Sequence, residues 1–351
     1  MRRKAWLRQG CDHLPGSAMP GRFGQRSLLR DAVFGAQGST YNKLWGRHPA
    51  ATRISLRGTV LDVSPHIIIL GTADGERRLT LSPRTMAWRG FAVPPAALRT
   101  GDSVIVRHLP GRNVAERIWA RIGRVTGTII EAGGNELIVD EGPTRRGRQT
   151  VRIHEQYSRK VQVRFPRLEP GYLVDVIGMR ELGYLLAFTP ATAQPPYRAD
   201  HAPSAPLLSG RFPAAASGTA VWHEPGEEAP DLIGLAYPAL DPETGCDHDG
   251  TGDDNPDEPY VVDPHAAGPG CVRLPYLSIG SAVEIRNECS DRSAVLPVTS
   301  CGAAARMFCD RCVTCGTSPR GRVADLTVTA FVELGGNLDE GCFNATLTMA
   351  G

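Results

Sequence analysis

At 351 residues, 41% of them hydrophobic, the chain is long enough for two or three domains, each with its own core. Aromatic residues make up only 6%, whereas Gly (39) and Pro (28) are plentiful, which argues against a helix bundle and for short strands joined by turns. The net charge of +2 hides an asymmetry: residues 1–200 hold 31 Lys and Arg against 16 Asp and Glu, and residues 201–351 hold 8 against 21. The first part therefore carries about +15 and the second about −13, so each attracts the other or a different partner. A basic half suits nucleic acid or an anionic wall polymer, and equally suits a solvated arginine-rich surface. No apolar run reaches the roughly 18 residues that a membrane-spanning helix needs.

Residues 1–50 are rich in Gly, Pro and Arg, with only Ser27 to Phe34 patterned for a short helix, so most of the segment is expected to be disordered. Its start, MRRKAWLRQGCDHLPGSAMP, is basic with no apolar stretch behind it and does not read as a secretory signal.

From Arg53 the pattern becomes one of short strands. One set is expected at Ile54–Val63, His66–Leu70, Arg77–Leu81, Ser103–His108 and Arg117–Ile122. A second is expected at Arg124–Glu131, Glu136–Val139, Gln149–Ile153, Lys160–Phe165, Tyr172–Ile177 and Gly183–Phe188. The sets echo each other at a distance of about 70 residues: Arg57-Gly58-Thr59-Val60 matches Thr126-Gly127-Thr128-Ile129, and LRTGDSVIV (98–106) matches LEPGYLVDV (168–176). A strand with a mid-strand glycine, a hairpin and a late L-x-x-G-x-x-V-x-V strand resemble the small OB-type barrel, giving barrels at 51–122 and 123–190. The resemblance implies nucleic-acid binding by aromatic stacking in a basic groove. The wide spacing of Trp88, Trp119, Tyr157 and Phe165 favours core positions instead, and Arg145-Arg146-Gly147-Arg148 reads as a solvated hairpin loop.

Residues 191–216, with Pro195, Pro196, Pro203, Pro206 and Pro213, read as a Pro/Ala-rich linker, and a third domain is expected over 217–351. It contains eight of the nine cysteines: Cys246, Cys271, Cys289, Cys301, Cys309, Cys312, Cys315 and Cys342. An even number in one small domain reads as a disulfide framework formed outside the reducing cytoplasm. The close spacing of Cys309, Cys312 and Cys315, with Cys301 nearby, is also compatible with zinc. Between 241 and 263 lies an acidic, glycine-containing stretch whose Asp247, Asp249 and Asp253 are calcium candidates, although the spacing of an EF-hand is absent and an acidic solvated loop is the other reading.

Beyond that stretch, Val283, Ile285, Val295, Leu296 and Val298 alternate with polar residues on either side of a polar turn at Asn287–Arg292, which predicts a hairpin. Leu326, Ala330, Phe331 and Leu334 then recur at helical spacing and Gly335-Gly336 stops the helix. Three blocks here, LPYLSIGSAVEIRN (274–287), RSAVLPVTSCG (292–302) and GRVADLTVTAFVEL (321–334), resemble the conserved strands and helix entry of the double-psi β-barrel family. That family includes rare lipoprotein A, barwin-like proteins and the first domain of expansins. SGTAVWH (217–223) is similar to its opening strand.

The resemblance implies an all-β chain, two tandem OB-like barrels followed by a disulfide-stapled double-psi β-barrel, secreted or in the cell envelope, that binds a cell-wall polysaccharide. It makes Trp222, Tyr237, Tyr276 and Asp325 glycan-binding candidates and Asp325 the candidate general acid of a glycan-cleaving enzyme. The family's second aspartate is replaced by Ser300 and a frequent histidine by Cys271, which favours binding without cleavage. From the residues alone, Asp325 also reads as the N-cap of the helix that follows it, and Trp222 as a core residue. A nucleic-acid-binding protein and a structural protein of the cell surface stand as alternatives.

Overall fold

In a computed structural model, the described residues are 54–109, 111–142, 146–196, 198–201, 215–224, 232–240, 271–302, 305, 307–315 and 321–349. They fall within one compact unit, Ala50–Gly351. The fold is all-β, built from three small barrels.

The first barrel comprises β1 (Ser55–Val63), β2 (Ile67–Thr72), β3 (Gly75–Trp88), the short β4 (Ala92–Val93), β5 (Ser103–His108) and β6 (Val114–Ala120). Strands β1, β2 and β3 form a meander, β5 pairs with β1, β6 pairs with β5, and a parallel β3–β6 pairing closes the ring. The second comprises β7 (Ile122–Gly133), β8 (Glu136–Asp140), β9 (Arg148–Ile153), β10 (Leu173–Glu181) and β11 (Tyr184–Pro190), with α1 (Ser158–Arg164) between β9 and β10. It has the same connectivity, including a parallel closure of its third strand on its fifth.

The repeat extends to individual backbone bonds. Gly58 and Gly127 each lie where a side chain would strike a carbonyl of the next strand, Gly71 O at 2.7 Å and Asp140 O at 2.0 Å. Two residues on, each strand carries a bulge, between Val60 and Asp62 and between Ile129 and Glu131. Gly101 and Gly171 both adopt φ +88° and donate to Val60 O (2.8 Å) and Ile129 O (2.7 Å) respectively. The strand expected at Lys160–Phe165 is helical instead. Val161 and Phe165, four apart, are buried on one face of α1, and a period-2 reading mistakes that pair for alternation.

The third barrel is six-stranded and closed in the order β13-β18-β14-β16-β15-β19. Its strands are β13 (Ala215–His223), β14 (Leu235–Tyr237), β15 (Ala282–Asn287), β16 (Arg292–Cys301), β18 (Arg322–Thr327) and β19 (Cys342–Met349). The predicted hairpin is present as β15–β16, with Asp291 at φ 60° in its turn. Helix α2 (Val328–Glu333) follows β18 and ends at Gly335, φ 82°.

Residues 192–193 of the expected linker form a strand, β12, paired with β17 (Arg311–Cys312), and Ala191 and Gln194 are buried. The first and second barrels keep cores of their own, and an apolar seam joins them to the third. Trp88 and Trp119 of the first, and Ile122 and Ile177 of the second, belong to the same apolar cluster as Trp222, Phe331 and Phe343 of the third. Polar anchors reinforce it: Glu333 accepts from the Ile54 and Ser55 amides at 3.0 Å each, and Asp339 accepts from Trp119 Nε1 and Arg117 Nη2, both at 2.7 Å.

Candidate functional site

Asp325 sits on β18 rather than at the helix mouth. The N-cap of α2 is Thr327, whose hydroxyl accepts from Ala330 N, so the cap reading of Asp325 gives way to a strand position two residues earlier. A bulge at Val323, between Arg322 opposite Thr219 and Ala324 opposite Ala220 of β13, places both Val323 and Ala324 in the apolar core. Arg322 and Asp325 on either side of it therefore point away from that core, toward the second barrel. There Asp325 Oδ1 lies 3.2 Å from Nδ1 of His223, the last residue of β13, and both side chains are nearly buried.

His223 borders a small cleft of about 10 Å³, the space of a single water molecule, that it lines with Glu224 and, from the second barrel, Arg124, Thr126, Glu141, Arg146 and Arg180. Most of these charges are matched. Glu224 accepts from Arg124 N (2.8 Å) and Arg180 Nη2 (2.7 Å) and pairs with Arg146 (2.9 Å), so the loop arginine expected to be solvated is docked. Glu141 accepts from Thr126 N at 3.1 Å.

Beside the cleft, Asp175 binds Arg124 (Nε to Oδ1, 2.8 Å) and Arg322, while Arg322 also binds Asp310 (2.8 Å) and lies 3.8 Å over the Phe308 ring. Burial acts to raise the pKa of Asp175, but the guanidiniums of Arg124 and Arg322 overcome it and hold the carboxyl below its ordinary range. Burial likewise works against the charge on Arg322, and Asp310 and Asp175 more than offset it, raising its pKa.

The other predicted site residues are dispersed. Trp222 is 1% exposed, its indole donating to Leu338 O at 2.9 Å, and Tyr237 is 0% exposed, its hydroxyl donating to Pro275 O. Neither ring is open to a ligand, because each is the filling of the barrel. Tyr276 is 47% exposed and does not line the cleft. Ser300 is half-buried on β16 opposite Ala236. The calcium candidates Asp247, Asp249 and Asp253, and Cys246, lie outside the described residues. Cys271 is bonded to Cys309 and Cys289 to Cys315, Cys301 is also disulfide-bonded, and Cys312 and Cys342 are buried with their sulfurs in contact.

The residues missed by sequence reasoning are His223, Glu224, Glu141 and Arg180. They converge from positions as far apart as 141 and 224, and the one local hint was a histidine directly after the tryptophan of the opening strand. No family model matches the chain, and no curated protein sequence matches it.

Proposed function

We propose that this chain is a secreted or cell-envelope protein that binds a cell-wall polysaccharide through its third barrel without cleaving it, that this barrel is of the double-psi type, and that the first two are OB-like. Support for the barrel types comes from the strand orders and from the motif positions: GRVADL forms β18, the hairpin blocks form β15 and β16, and both small barrels close by a parallel third-to-fifth pairing.

The observation that carries the binding reading is the burial of Asp325 behind His223. A general acid must reach the glycosidic oxygen within hydrogen-bond distance. Asp325 is 2% exposed and spent on the imidazole, so of the pair His223 lies nearer the surface and Asp325 orients it. A cleaving enzyme is the second reading, favoured by one fact: Glu141 and Glu224 stand on the cleft although the family's second aspartate is Ser300. The nucleic-acid reading has less support, since Trp88, Trp119 and Phe165 are buried and the cleft arginines are paired to acids.

The test is a pull-down of the full-length chain on purified peptidoglycan and on cellulose, with His223→Ala and Asp325→Asn alongside. Binding to one polymer, weakened at least about tenfold in both variants, supports the reading. Binding to neither polymer, or binding indifferent to both substitutions, removes it.

A further inference from the structure

Helix α1 carries an outward face that the packing of the barrels does not use. Its seven residues, Ser158–Arg164, lie between β9 and β10, and Val161 and Phe165, four apart, take the inward side at 0% and 1% exposure. A period of 3.6 residues then turns Arg159, Lys160, Val163 and Arg164 outward, and all four are exposed, Val163 at 74%. Elsewhere the arginines are consumed: Arg107, Arg117, Arg121, Arg124, Arg180 and Arg322 each bind a carboxylate. Among the described residues no ion pair involves Arg159, Lys160 or Arg164, and the nearby pairs of this barrel, Arg152 with Glu136 and Arg167 with Glu169, leave them out.

Three local costs meet on this helix. Lys160 and Arg164 are like charges one turn apart. Arg159 and Lys160 stand in the first turn, where the helix dipole disfavours cations and no acidic residue balances them. A valine is given to water beside them. None of the three is offset by an ion pair or by burial, and local rules broken together mark a surface kept for a ligand.

We propose that this face docks on an anionic phospholipid surface. The cations set the sign of the partner, since three positive side chains without paired acids attract a negative surface. Val163 sets its kind. Arginine and lysine stems lie along a lipid interface with their heads at the phosphates, and an apolar side chain between them enters the boundary with the acyl chains, whereas a soluble polyanion gives it no apolar contact. Nucleic acid would call on stacking rings, and the rings beside the helix are engaged: His154 and Tyr157 lie 5.4 Å apart and each lies 5.5 Å from Phe188. No residue of α1 lines the cleft, so this docking is independent of polysaccharide binding.

The experiment floats the full-length chain with vesicles of phosphatidylcholine alone and of equimolar phosphatidylcholine and phosphatidylglycerol. The wild type is expected on the anionic vesicles only, with partition falling at least about tenfold between about 50 and about 500 mM salt. Removing the charges together, in Arg159→Gln/Lys160→Gln/Arg164→Gln, should lower partition about a hundredfold, at about fivefold per surface cation. Val163→Ser keeps every charge and should lower it about threefold, as partial burial of a valine implies. Arg77, Arg84 and Arg99 are exposed on the first barrel, and changing all three to Gln should leave partition within about twofold, because attraction to the surface fades within a Debye length. Absence of binding to anionic vesicles at low salt overturns the proposal, as does equal binding to neutral ones. So do equal losses in the two triple variants, a Val163→Ser chain that partitions like the wild type, or tighter capture by a single-stranded oligonucleotide that the α1 variant loses. The wild-type arms decide even where a variant misfolds.

Discussion

Two polar assemblies lie side by side between the second and third barrels, and they differ in one respect. Asp175, Arg124, Arg322 and Asp310 form a set of two cations and two anions, none more than 3% exposed, in which most donors and acceptors are consumed within the set. His223 and Asp325 also pair, yet His223 faces the cleft. The same strand, β18, supplies Arg322 and Asp325 from either side of one bulge. Charged residues in a buried seam thus serve two ends: where water is shut out they fix the arrangement of the barrels, and at the edge of the seam a carboxylate orients a ring that borders a small cleft.

The largest effect is expected from breaking the sealed set. Arg322→Met leaves the carboxylates of Asp175 and Asp310 buried with too little positive charge, and should lower the unfolding free energy by about 3–5 kcal/mol in urea titrations. Asp325→Asn, which keeps the shape and the hydrogen-bonding capacity beside His223, should cost less than half of that; equal losses would erase the contrast between the two assemblies.

Next is a pH dependence. In the unfolded chain an aspartate titrates near about 3.9. Asp175 titrates lower than this when folded, so its contribution is fully present above about pH 4 and is lost as pH falls from there through the folded value. Acid unfolding of Asp175→Asn, though it starts from a less stable protein, should therefore show a shallower slope below about pH 4 than the wild type. An unchanged slope would show that the carboxyl is not held low.

A smaller effect separates the two repeated barrels. A methyl group at Gly127 would meet Asp140 O at 2.0 Å and one at Gly58 would meet Gly71 O at 2.7 Å, so alanine should destabilise at both, by about 1–3 kcal/mol, and more at 127. The reverse order, read by thermal unfolding, would contradict the close approach seen there. The least change is expected from cutting within residues 202–214. Because Trp119 and Ile177 share a core with the third barrel, the two fragments should remain associated on gel filtration instead of separating.

Much of this architecture was legible in the sequence, and the reason is local. The mid-strand glycines, Gly101 and Gly171, the turn at Asn287–Arg292 and the stop at Gly335 each demand a backbone geometry that few residues supply, so they mark their positions without tertiary help. The site was less legible. An aspartate before a helix reads as a cap, yet Thr327 holds that place, and only the bulge at Val323 reveals where Asp325 points. Trp222 and Tyr237 suited a sugar platform as well as a core, since a strand aromatic looks the same in either setting until the partner strands are placed. His223, Glu141 and Arg180 meet only because two barrels dock, and no periodicity in a single segment records that docking.

The most direct test of the central claim is whether sugar is released. Full-length protein is incubated with purified peptidoglycan and with cellulose, and the soluble phase is chromatographed while the pellet is assayed for bound protein. The account predicts protein in the pellet of one polymer, less of it for Asp325→Asn, and no soluble fragments from either. Soluble muropeptides or oligosaccharides that disappear in Asp325→Asn would show that the cleft cleaves its ligand and would contradict it.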